Sequence, residues 1–188
     1  NIPMVDQGPK GYCAPATFER AMRHAGVAAD MYLLATLATT GGGGTNTRKL
    51  YDEVAFTTRS KGSRTARELQ LRSLSPSKIK KYIDKGVPLL WQMCSLPTYN
   101  MVANKRTMER RNVKDWPTYA SKIAGEAESN LPNLQAKGNY HICMIIGYNA
   151  ATNEVAVSDS WGKRYTIRWV HADEAEAVSN KSGYVIDL

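Results

Sequence analysis

Apolar residues recur at three- and four-residue spacing at Phe18, Ala21, Met22 and Ala25, which gives one helical stripe. This predicts a helix over 13–25, with Pro15 in its first turn, where a missing N–H costs little, and Gly26 as its stop. A second helical stretch covers 30–39 and runs into GGGG at 41–44, four glycines that predict a flexible loop. Thr45 or Asn46 then caps a third helix carrying Leu50, Tyr51 and Val54. Ser75-Pro76-Ser77 opens a fourth helix with Ile79, Tyr82 and Ile83 on one side, and Gly86 ends it. VPLLWQM, from Val87 to Met93, follows as a buried strand.

The stretch 98–139 is polar, poor in β-branched residues and broken by Pro117, Pro132 and Gly138. It predicts a helical insertion, with tracts at 101–111 and 118–129. From Tyr140 onward the period becomes that of a sheet: HICMIIGYNA, a turn at 151–153, EVAVSDSWG and RYTIRWV form an antiparallel meander. Ala172 to Val178 is a short helical turn, and GYVIDL a last strand. Helices first and an antiparallel sheet later give an α+β fold. At 188 residues the chain fits a single domain, 1–188, with the insertion at 98–139.

Charge changes this picture little. The formal net charge is +8, with one excess between Arg59 and Lys81 and a second at Lys105, Arg106, Arg110 and Arg111. No nucleic-acid-binding signature accompanies it, so these groups are read as solvated helix faces and no nucleic-acid partner is expected. No apolar run approaches the ~20 residues of a membrane span. Cysteines at 13, 94 and 143 include no CxxC, which speaks against a disulfide framework and against a metal site but leaves one pair with one free thiol open. Cys94 and Cys143 read as small buried hydrophobes. No cofactor is expected.

Cys13 is different because it stands at a helix mouth. A thiol attacks a carbonyl only as thiolate, and a helix N-terminus together with an imidazole lowers its pKa. His24 lies on Cys13's own helix, two turns or more away, and suits the helix dipole or solvent. His171 sits among polar residues and reads as a surface group. His141 opens an apolar strand, and Asp159 on the next strand could face it across the hairpin and hold its ring. Taken alone, a strand-end histidine and a strand-end aspartate are both more often structural.

The combination is more specific. Gln7-x5-Cys13, followed by His141 and then Asp159-Ser160-Trp161-Gly162, resembles the papain-like cysteine peptidases, with Asp in place of Asn. The separations along the chain lie close to the ~130–150 residues of that family. Gly11-Tyr12-Cys13-Ala14-Pro15-Ala16, Ile83-Asp84-Lys85-Gly86-Val87-Pro88 and His141 to Tyr148 are similar to cysteine peptidase family 39, the bacterial bacteriocin-leader-processing group and its relatives. Ala14 stands where that family usually has glycine, and Ser160-Trp161 where it usually has proline.

The resemblance implies a papain-like fold and thiol-dependent hydrolysis of peptide or isopeptide bonds. Cys13 would be nucleophile, His141 base and acid, Asp159 its orienter and Gln7 an oxyanion donor beside the Cys13 N–H, with Trp161 shielding the His141–Asp159 pair. The partner is then a peptide or protein substrate. An acyltransferase or transglutaminase using the same acyl-enzyme, and a non-catalytic basic binding domain, are the alternatives. The chain begins at Asn1 and not at methionine, which suggests an upstream segment removed by processing or cloning and fits a secreted or cell-envelope location. The stretch 98–139 ends two residues before His141 and is expected to wall or cover the substrate cleft.

Overall fold

The computed structural model describes residues 1–38 and 46–188. The glycine run at 41–44 and the alternative cap Thr45 therefore lie outside the described residues. The first helix, α1 (Cys13–His24), ends as its sequence predicts: Gly26, at φ 79°, lets its own N–H and that of Val27 return to the carbonyls of Arg23 and Met22. Then come α2 (Met31–Ala38) and α3 (Thr47–Gly62), the latter capped by the Asn46 side chain on the N–H of Lys49. α4 (Pro76–Ile83) has Pro76 in its first turn.

Six antiparallel strands form one sheet: β1 (Ala66–Gln70), β2 (Leu89–Cys94), β3 (Tyr140–Asn149), β4 (Glu154–Ser158), β5 (Arg168–His171) and β6 (Ser179–Ile186), in spatial order β1-β6-β2-β3-β4-β5. Both faces of the central strands are buried, which is why LLWQMC and ICMII read as continuous apolar runs. Leu90, Ile142, Met144 and Tyr184 pack under α1–α3, while Trp91, Met93, Cys143, Ile145 and Val185 pack on the other face with Ile79 of α4.

The second face is completed by α5 (Pro97–Arg110) and α7 (Ala172–Val178), with α6 (Trp116–Asn130) outside them. The two helical tracts expected in 98–139 are thus α5 and α6. Tyr99 of α5 is buried in the core beside Trp91, and Arg106 is buried on a bidentate pair with Glu174 of α7, at 2.9 and 3.2 Å.

Four expectations need correction. Arg106 is 2% exposed and paired, so the second basic cluster is not wholly a solvated face. In the first basic run, Arg67 lies on β1, where it forks onto Asp187 at 2.7 and 2.9 Å. ARELQ has no apolar alternation because β1 is an edge strand with most of its side chains outward, so nothing in its pattern predicted it. His171 is buried and not on the surface: its Nδ1 accepts from the Asp173 N–H at 3.2 Å, and its own N–H donates to Glu174, a capping box on α7. Burial lowers its pKa, which favours the neutral ring that this cap requires. In RYTIRWV only the second half is strand, since residues 163–165 form a 3₁₀ turn.

Candidate active site

α1 delivers Cys13 at its first position. Tyr12, at the N-cap, makes no side-chain cap and Pro15 has no N–H, so the opening turn keeps backbone donors for other partners. One of them, the N–H of Ala14, acts on the Cys13 sulfur, as does backbone at Ile142. The Thr17 hydroxyl donates to the Ile142 carbonyl at 3.2 Å and so ties α1 to the start of β3, where His141 stands. His141 lines the same cavity as Cys13, near enough for each side chain to act on the other's ionisation, and places its Nε2 2.9 Å from Oδ1 of Asp159. Nε2 being taken by the carboxylate, Nδ1 is the ring nitrogen left for Cys13.

Asp159 follows β4 directly. The strand register pairs Met144 with Ser158, so Asp159 comes opposite Cys143 and reaches His141 diagonally, not directly across. This geometry depends on a bulge between Ile145 and Gly147. Below the bulge Tyr148 pairs with Val155 on the α4 side of the sheet; above it Ile145 pairs with Val157 on that same side. The extra residue, Ile146, shifts the face parity of β3 and so puts His141 on the face that Asp159 occupies.

Trp161 stacks on the His141 ring, centroids 4.8 Å apart and planes 25° from parallel, with Tyr165 edge-on behind it. Gln7 is brought to the same loop by its backbone, whose N–H donates to the Ser160 carbonyl at 2.7 Å. Its side-chain Oε1 is buried without a hydrogen-bond partner.

Two residues that the sequence reading did not single out complete the surroundings. Arg168 of β5 donates to Oδ2 of Asp159 at 2.8 Å. Arg20 of α1 donates to the hydroxyls of Ser158 (2.5 Å) and Ser160 (3.3 Å) on either side of that aspartate, and to the Pro3 carbonyl. No local motif marks either one. Arg168 looks like an outward residue beside Ile167, yet it is 3% exposed and Ile167 is 47% exposed.

Burial works against charge on all three groups, and pairing overcomes it. For Cys13, the hydrogen bond and charge of His141 outweigh burial and hold the thiol below its usual range. For His141, burial opposes the cation, but Asp159 and Cys13 push its pKa up to about 9. For Asp159, burial favours the neutral acid, and His141 with Arg168 reverse this and keep it below the usual carboxylate range. The arrangement favours a thiolate beside an imidazolium.

Beside Cys13 and His141 lies a cavity of about 360 Å³, lined also by Gly11, Ala14, Thr47, Gln92, Tyr140, Ile142 and Asn180. Larger hollows, of about 550 Å³ between α5 and α6 and about 450 Å³ beside α4, are lined by neither cysteine nor histidine. No residue of 98–139 lines the Cys13 cavity, and α5 packs against β5 behind Asp159. The expected lid is instead a support on the far side.

The profile of the Peptidase_C39 like family matches residues 1–184. The chain belongs to that family. Among curated proteins, none matches it. Its fold is similar to that of the peptidase domain of Streptococcus ComA, a bi-functional ABC transporter involved in a quorum sensing pathway. That likeness has a TM-score of 0.56 at 12% identity, over 100% of this chain and 98% of the other. It is also similar to a Bacillus anthracis protein assigned as a C39-like peptidase, at TM-score 0.60 and 12% identity, over 100% and 94% of the two chains.

The α+β architecture is thus that of the C39 peptidases. In this C39-like chain all three cysteines are free, and Cys94 and Cys143 are buried. His24, at the end of α1, lies 2.7 Å through Nε2 from the Gly86 carbonyl, away from Cys13. His141, Cys143 and Asp159 bring ligand atoms within 4.8 Å of one another. The donor set does not suit a cation: burial raises the Cys143 thiol well above its usual range, and both Asp159 oxygens already accept, one of them from a guanidinium. No helix among the described residues is long and apolar enough to cross a membrane.

Proposed function

We propose that the chain is a cysteine peptidase that cleaves peptide or isopeptide bonds of a peptide or protein substrate, folded as one domain with residues 98–139 as a helical insertion. The single observation that carries this reading is the line Cys13–His141–Asp159, ending in an open cavity, with the thiol held low and the imidazole held high. A binding module has no use for that charge arrangement.

The Cys13 thiolate attacks the scissile carbonyl carbon, and the negative charge moves to the carbonyl oxygen. The N–H of Cys13 and the amide N–H₂ of Gln7 receive it. The imidazolium of His141 gives its proton to the leaving amine as the C–N bond breaks and the thioester remains. Water then attacks the thioester, His141 takes its proton, and the thiolate leaves with release of the acid. Asp159 holds the ring through Nε2, and Trp161 keeps water from that bond. The buried, unpartnered Oε1 supports the role of Gln7, because an amide with its oxygen shut away has its N–H₂ end left for a substrate oxygen. Gln7→Ala is expected to lower kcat about 10²- to 10³-fold with KM little changed, the loss typical of one oxyanion donor, as measured by steady-state kinetics.

The test of the reading is pH dependence measured in two ways. Peptide hydrolysis, as kcat/KM, should rise as Cys13 ionises below its ordinary thiol range and fall as His141 loses its proton near pH 9, which gives a bell. Iodoacetamide labelling of Cys13 should show the same rise and no fall above pH 9, since alkylation needs the thiolate and not the imidazolium. Labelling that begins only in the range of a free thiol would sink the proposal. Product analysis with and without an added amine separates hydrolysis from acyl transfer.

A further inference from the structure

We infer that Arg168 is a positioning residue of the active site, one that fixes Asp159 as a permanent carboxylate and anchors it to α5. The inference rests on the peptidase reading above and extends it to a fourth charged group. The geometry is specific. Asp159 is 1% exposed, and its two oxygens are divided between His141 (2.9 Å) and Arg168 (2.8 Å). The guanidinium is itself 3% exposed and lies 5.4 and 5.2 Å from the ring centres of Trp161 and Tyr165. Asn100 and Asn104, one helical turn apart on α5, accept from its Nη2 and Nη1 at 2.9 and 3.0 Å. Neutral amide oxygens orient the fork without competing for its charge, so Asp159 is the carboxylate that Arg168 serves.

The consequence follows from solvation. A carboxyl buried this deeply prefers the neutral acid, and a neutral acid neither aligns nor charges the imidazole. The titratable and charged groups facing it are His141 and Cys143 from β3, Arg20 from α1, Tyr99 from α5 and Arg168 from β5. Arg20 bonds to serine hydroxyls and not to the carboxylate, and Tyr99 and Cys143 are held neutral by burial. Arg168 is therefore the permanent cation in direct contact with Asp159, since His141 is charged only while protonated. In this arrangement the stretch 98–139 serves the chemistry from behind, through two asparagines on α5, and not as a cover.

The test compares Arg168→Met and Arg168→Lys with the parent protein, using kcat/KM against pH and iodoacetamide labelling of Cys13 against pH. In Arg168→Met the acid limb of both profiles should move up by about one pH unit or more, because Asp159 now takes a proton within the working range. The kcat at the optimum should fall about tenfold to a hundredfold with KM within about twofold, the cost of a misaligned imidazole. Arg168→Lys keeps the cation but not the fork. It should return the acid limb to its original place while kcat stays about tenfold low. A merely structural arginine would lower the amount of folded protein without moving either limb. If Arg168→Met is folded and keeps the parent acid limb, the proposal is overturned. If Arg168→Met fails to fold, Arg168→Lys decides: parent kcat in that variant overturns it. The labelling profile needs no substrate, so failure of this inference is distinct from failure of the peptidase reading, which would appear as an unmodified protein that hydrolyses no peptide.

Discussion

Cys13→Ala is expected to lower kcat/KM for peptide hydrolysis by about 10⁴-fold or more while leaving the fold intact. The loss is large because the sulfur is the atom that forms the covalent bond, and no other group near the cavity can replace it. Cys143 is close, but it is wholly buried and its thiol is pushed well above the normal range; Cys94 is also raised by burial. The same contrast makes labelling selective. Iodoacetamide at neutral pH should modify one site in the parent protein and none at a comparable rate in Cys13→Ala, as read by intact mass. Stability should change little, since Cys13 is half-buried at a helix start and alanine is a good helix residue. A folded Cys13→Ala protein that keeps its activity would end the enzyme proposal. One that loses activity yet keeps a tight partner would point to the binding-domain alternative.

Asp159→Ala should have the larger effect on stability and the smaller one on chemistry. Removing the carboxylate leaves the Arg168 guanidinium buried against two aromatic rings and two neutral amides, with no counter-charge. Breaking a buried pair from one side costs about 3–5 kcal/mol, enough to lower Tm by roughly 10 °C in a chain of this length. Asp159→Asn keeps the shape and one acceptor oxygen and should lose less. The sign of the pH dependence follows from the depressed carboxyl. Its stabilisation is fully present above the unfolded carboxylate pKa of ~3.9 and is lost as pH falls through the folded value. The Tm gap between Asp159→Ala and the parent should therefore narrow in strong acid. Below its own Tm the variant should retain more activity than Cys13→Ala, with kcat reduced about 10²-fold, because Asp159 orients the base and does not react. Thermal unfolding at several pH values, together with kinetics on protein shown to be folded, checks both halves. An unchanged Tm would mean that Arg168 finds another partner.

The cavity beside Cys13 narrows the substrate question. Its side-chain lining holds no carboxylate or ammonium group besides the reacting pair, and its polar members are Thr47, Gln92, Tyr140 and Asn180. Such a surface can hydrogen-bond an extended backbone and offers no fixed charge for selecting an acidic or basic side chain. None of the lysines and arginines behind the net charge of +8 lines this cavity.

What the sequence determined by itself was local or periodic. A stripe at three- and four-residue spacing can only be buried as a helix, so α1 and its glycine stop were readable, and Cys13 came with them at the helix mouth. Continuous apolar runs marked β2 and β3, because strands covered on both faces need no alternation. Gln7, His141, Asp159 and Trp161 were readable as candidates from motif order. Other features depended on contacts that leave no periodic trace. β1 shows no pattern because an edge strand buries little. His171 looked exposed because its polar neighbours, Asp173 and Glu174, are the first turn of the helix that it caps. The position of 98–139 was misjudged because nearness in sequence to His141 says nothing about the face on which a helix packs. Most of all, the meeting of His141 with Asp159 depended on one extra residue at Ile146. Side chains alternate with period two, so a single inserted residue exchanges the faces of every position beyond it, and only the pairing in the folded sheet shows on which side of the bulge a histidine and an aspartate will meet.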